Sequence, residues 1–178
     1  MDKKEILKFY VEMVNSILNI YNLNKNNTTE KITKRILNWI IREYKGKINL
    51  YASQKAISLT KGKDLSEYNW KDQVKSIEKG GLGDAGRKKL HIEHILPISQ
   101  IIKNLFNAKT KDEDEIEKIL NEISVAWITK EEQKELDKKN KINRGINLDE
   151  SLSVCETVCE KLKPIGEYKV PLIEDEEE

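Results

Sequence analysis

The chain's only two histidines, His91 and His94, lie in the run "KLHIEHILPIS", with Glu93 between them and Pro97 just beyond. Imidazole changes charge near neutral pH, and beside a carboxylate it can move protons or share a cation. A zinc-peptidase site needs two histidines one turn apart on a helix, as His-Glu-x-x-His or its inverse. His91-x-Glu93-His94 has neither spacing, and a β-branched run closed by Pro97 reads as a strand, so that chemistry is set aside. A second reading makes His94 a hydrogen-bonded core histidine. A third is metal-assisted hydrolysis of a phosphodiester. There a neutral imidazole takes a proton from water, and a carboxylate on the other side of the strand end holds a divalent cation. A further oxygen ligand comes from a helix packed across the strands.

The elements that would position such a site follow from periodicity. Ile6, Tyr10, Met13, Ile17 and Tyr21 recur at helical spacing, and a second helix carries Ile32, Ile36, Trp39 and Ile40 on one face after the capping threonines of "NNTTE". The segment "INLYASQKAISLT" is ambiguous, with a short helix as one reading, and 70–79 looks helical. In "GGLGDAG", Gly81, Gly83 and Gly86 match the dinucleotide fingerprint literally, but that fingerprint needs a strand before it and a helix after it. Here the order is reversed, which leaves a hinge. Beyond it come the strand with Leu90 and Ile92, two helices ("SQIIKNLF" and "DEDEIEKILNEI"), and the apolar strand "SVAWIT". Thr129-x-x-Glu132 is a capping box that opens the helix "KEEQKELDKK". A polar, basic loop and a last helix over "DESLSVCETVCEKL" complete the pattern.

"HIEHILP" resembles the opening of the HNH, or His-Me finger (ββα-metal), nucleases, and is closest to the form in the C-terminal nuclease domains of GmrSD-type restriction enzymes. "VAWITKEEQKEL" is similar to the second half of such motifs, and the likeness covers roughly residues 88–144. The resemblance implies His94 as the general base and Glu93 as a ligand of Mg²⁺ (or Mn²⁺). By spacing from Thr129, the second ligand falls at Gln133 with Glu132 beside it, where the family expects Asn, His or Asp. A shifted register would put Asn140 or Asn143 there instead. The family's middle Asn has no match; Ser124 lies near its place and Asn121 three residues earlier. The loop with Lys138, Lys139, Asn140, Lys141, Asn143 and Arg144 would contact the nucleic-acid backbone or simply be a solvated helix end.

Charge is unevenly distributed. Residues 1–110 carry 21 Lys/Arg against 11 Asp/Glu, and residues 111–178 carry 11 against 20, so the net +1 hides a basic front and an acidic back. Such a front suits nucleic acid, although Lys-rich helices are often just solvated. The N-terminus has no apolar signal region and no run reaches membrane-spanning length. Cys155 and Cys159, four apart on a helix, read as reduced core thiols of a cytoplasmic protein. The expectation is a predominantly helical α+β chain. Residues 1–79 form a helical region that reads DNA or dimerises, and 80–87 a Gly-rich hinge. Residues 88–165 form the nuclease core with its C-terminal helix, and 166–178 an acidic tail. The function expected is a metal-dependent DNA endonuclease of small restriction or mobile-element type, with two copies on a palindromic target. The alternatives are an inactive nucleic-acid- or protein-binding module on a degenerate fold, and an RNA-directed nuclease.

Overall fold

The computed structural model describes residues 2–44, 46–108, 113–140 and 144–168, with the Asn140 side chain left out. The fold is α+β and predominantly helical, as expected. Among the described residues, α1 (Lys3–Leu23) and α2 (Asn27–Glu43) precede β1 (Asn49–Ala52), α3 (Gln54–Leu59) and α4 (Trp70–Val74). Then come β2 (Leu90–His94), α5 (Ile98–Asn107), α6 (Glu113–Asn121), β3 (Ser124–Thr129), α7 (Lys130–Asn140), α8 (Leu148–Glu156) and β4 (Lys163–Glu167). No described helix is long and apolar enough to cross a membrane.

The strands form one sheet in the order β2-β3-β1-β4. β2 runs antiparallel to β3 with Glu93 opposite Ala126 and His94 opposite Val125; β1 runs parallel to β3 and antiparallel to β4. Every residue of β3 is buried, which explains why "SVAWIT" is continuously apolar rather than alternating. Val125 and Trp127 face a core built with Leu18, Leu37, Ile40, Ile101, Leu105 and Ile116 of α1, α2, α5 and α6. Ala126 and Ile128 face a smaller core with Leu136 of α7, Cys155 of α8 and Cys159. The molecule is thus three layers, with helices on both faces of a small sheet.

The segment 80–87 is pinned rather than hinge-like, and the sheet spans it: β1 precedes the segment, while its neighbours β3 and β4 follow. Backbone N–H groups of Gly81, Leu82, Gly83 and Asp84 donate to Ser76, Asp72, Lys75 and Gln73. Buried Asp84 accepts from the N–H groups of Lys88, Lys89 and Leu90 and from Gln73 Nε2, at 2.8–3.0 Å, which fixes the start of β2. A Cβ on Gly81 would lie 2.3 Å from the Lys75 carbonyl oxygen. Gly81→Ala is therefore expected to destabilise the fold by about 1–3 kcal/mol, read as a lower Tm, since backbone must move to make room. An unchanged Tm would mean the loop is looser than its hydrogen bonds imply. At the other end, β4 continues to Glu167, past the expected start of the acidic tail at 166, and residues 169–178 lie outside those described.

Candidate functional site

The pleat of β2 decides which groups meet. Leu90 and Ile92 pack into the larger core, so His91 and Glu93 project to the α7 side and His94 to the α2/α5 side. β2 is an edge strand, so groups on both its faces can be reached from its free edge.

On the α7 side six side chains close a ring. His91 Nε2 lies 2.9 Å from Glu93 Oε2, and Arg144 Nη1 bonds Glu93 Oε1. Arg144 Nη2 reaches Asp137 Oδ1 at 2.9 Å, and Gln133 Nε2 donates to Asp137 Oδ2 at 3.0 Å. Lys130 Nζ donates to Gln133 Oε1 at 3.0 Å and lies 3.1 Å from His91 Nδ1. An ammonium can only donate, so in this arrangement Nδ1 accepts from Lys130 and Nε2 donates to Glu93. Two cations then balance two carboxylates. Lys130, Gln133 and Asp137 share a face of α7 because they are spaced by three and four residues. Burial would raise Glu93, but the hydrogen bond from His91 and the guanidinium of Arg144 outweigh it and hold the carboxyl below its usual range. The Arg144 side chain is 8% exposed and Asp137 42%, so the ring opens to solvent on its Asp137 side.

Of the expected ligands, Gln133 faces the ring with Glu93, whereas Glu132 lies elsewhere. Its Oε2 accepts from Ser53 Oγ at 2.7 Å and from the Thr129 N–H at 2.8 Å, while Thr129 Oγ1 accepts from the Glu132 N–H at 3.1 Å. Glu132 completes the capping box and ties α7 to the residue that caps α3. It is buried, and its other oxygen has no protein partner among the described residues. Arg144, expected at a phosphate, is engaged by two carboxylates. Lys138 and Lys139 lie at the exposed end of α7, with Lys139 paired to Glu135. Lys141, Asn143 and the side chain of Asn140 lie outside the described residues. Sequence reading missed Lys130 and Asp137; the i, i+4 spacing of Gln133 and Asp137 was the available signal.

His94 stands apart from the ring. Burial lowers its pKa from 6.5 to about 4, Arg42 and His91 push the same way, and Glu93 opposes them. It is a neutral imidazole at the end of the edge strand.

Among the described residues, no three His, Cys, Asp or Glu side chains are grouped to hold an ion. In kind, though, the ring fits a hard cation: Glu93 and Asp137 supply carboxylate oxygens and Gln133 an amide oxygen. One guanidinium already bridges the two carboxylates, which marks where positive charge belongs, and an ion would have to displace it. Arg144→Gln should lower stability by about 3 kcal/mol, because Glu93 loses its cation. Millimolar Mn²⁺ should then restore part of the lost Tm in that variant while leaving the parent little changed. A variant whose Tm is the same in Mn²⁺ and in EDTA would show that the ring is no ion site. No protein-family model, curated protein or solved structure matches the chain.

Proposed function

We propose that this chain is a metal-dependent endonuclease that hydrolyses DNA phosphodiester bonds, of small restriction or mobile-element type. The carrying observation is the strand–strand–helix unit in which Arg144 links Glu93 of β2 to Asp137 of α7, with Gln133 bonded to Asp137. A bound Mg²⁺ or Mn²⁺ would neutralise charge on the scissile phosphate. Glu93, Asp137 and Gln133 would hold it once Arg144 swings aside. His94 would take the proton from the attacking water, its nitrogen kept unprotonated by burial. Two buried free thiols, Cys155 and Cys159, suit a cytoplasmic setting.

The closed, charge-balanced ring supports a second reading: a nucleic-acid- or protein-binding module in which Arg144 has taken over the ion's place. Supercoiled plasmid, methylated and unmethylated, incubated with Mg²⁺, Mn²⁺ or EDTA separates the two. Nicks or fragments that require the metal uphold the nuclease. Cleavage confined to RNA would change the substrate class. Inertness toward both nucleic acids would leave the binding module.

A further inference from the structure

A groove of about 920 Å³ lies between the α1–α2 turn, α2 and α5, on the His94 side of the sheet and away from the ring. Lys25, Lys34, Arg35 and Lys103 line it against a single carboxylate, Glu30, which already pairs with Lys34. Lys25, Arg35 and Lys103 have no carboxylate partner among the described residues. Four cations walling one concavity repel each other, and the arrangement is relieved by a bound anion.

The groove has a direction. Asn38 and Ser99 line it, and Asn38 lies one turn before Arg42, whose Nε donates to Asn38 Oδ1 at 2.8 Å. Ser99 sits in the first turn of α5, just past the end of β2. Arg42 is also close enough for its charge to be felt at His94. From Arg35 through Asn38 to Arg42, polar and basic groups advance along α2 by about one turn per step, as an extended polyanion requires. Tyr21 and Phe106 meet edge to face, with centroids 4.9 Å apart, and Lys34 sits over Phe106. These two rings are engaged with each other and with Lys34, and apart from Glu30 the remaining polar lining is cations, amides and a hydroxyl, the chemistry of a phosphate backbone rather than of bases.

We propose that this groove between α1, α2 and α5 binds the phosphate backbone of DNA and leads it to His94, an assignment that rests on the nuclease reading. It makes the basic front of the chain the substrate track and leaves the α7 end, with Lys138 and Lys139, outside it.

The test is fluorescence anisotropy of a labelled 20-base-pair duplex in EDTA, over roughly 50–200 mM salt, where log affinity falls linearly with log salt. The full chain is compared with Arg35→Gln/Lys103→Gln and with Lys138→Gln/Lys139→Gln, and each protein is also assayed for plasmid cleavage. The groove variant should bind about ten-fold more weakly, with a salt slope shallower by about 2, one for each lost phosphate contact. The α7 variant should keep the parent's affinity and slope. Equal losses in both variants, or none in the groove variant, overturn the track; if the parent still cuts plasmid with metal, the nuclease reading stands without it. A parent that neither binds nor cuts DNA overturns both. Ten-fold tighter binding of an RNA duplex of the same sequence overturns the assignment to DNA.

Discussion

His94→Ala should lower the rate of metal-dependent DNA cleavage by about 10²–10⁴-fold, the range expected when a positioned general base is removed. The His94 imidazole makes no side-chain hydrogen bond with any described residue, so the loss should come without a large change in Tm. DNA affinity in EDTA should also hold, because the groove cations remain. That combination separates a base from a structural histidine, whose removal would lower Tm and cleavage together. Free imidazole in the assay gives a second readout: it can enter the space left by the side chain and should recover part of the rate. A variant that cuts as fast as the parent would remove His94 from the chemistry. His91, locked between Lys130 and Glu93, would then be the only imidazole left to consider.

The second large effect is on stability. Asp84→Ala should cost about 3–5 kcal/mol, since it strips the acceptor from three N–H groups and the Gln73 amide, and each buried unpaired donor costs about 1–3 kcal/mol. Asp84→Asn should be damaging as well, because an amide turns N–H groups toward donors. The carboxylate also sets a pH dependence. Burial would raise Asp84, but its hydrogen bonds outweigh this and hold it below 3.8. Its folded value is depressed, so the stabilisation is present above the unfolded pKa and is lost as pH falls through the folded one. Acid unfolding of the parent should therefore steepen below about pH 4, and Asp84→Asn should flatten that limb. A drop in Tm of less than about 2 °C for Asp84→Ala would mean that water replaces the carboxylate well, and the loop would not be what positions β2.

Much of this architecture was legible because the long helices and β3 carry strong local signals. The apolar stripe of α1, the buried run 124–129 and the Thr129–Glu132 box each specify their element within a few residues. Helix α2 was legible as a helix but not in its facing: Leu37, Ile40 and Ile41 are buried, while the expected Ile32, Ile36 and Trp39 are exposed. β1 and β4 were not legible for the opposite reason. Asn49–Ala52 is four residues long and gives way at once to Ser53, the cap of α3, so alternation has no length in which to appear. Lys163–Glu167 contains Pro164 and Gly166, which argue against a strand, and it is one only because it is an edge strand beside β1. At the site, the resemblance pointed to His94 and Glu93, and spacing from Thr129 pointed to Gln133; the fold brings Glu93 and Gln133 into one ring and leaves His94 apart from it. Arg144 was misjudged in kind: a basic residue in a basic loop reads as solvent-facing, and nothing local says that the chain returns it to Glu93. Glu132 was a matter of helical phase, since adjacent residues on a helix face different layers.

The placement of β1 has a further consequence, for how the chain folds. Asn49 pairs with Ser124 on one side and with Glu167 on the other, so the middle of the sheet waits for partners emerging much later from the ribosome. Helices α1 and α2 can meet early because they are neighbours in the chain. The sheet closes only after loops tens of residues long have been gathered in, and such non-local pairing is slow. Until β3 arrives, β1 offers two unpaired edges, and the nascent chain is most open to mispairing in that interval.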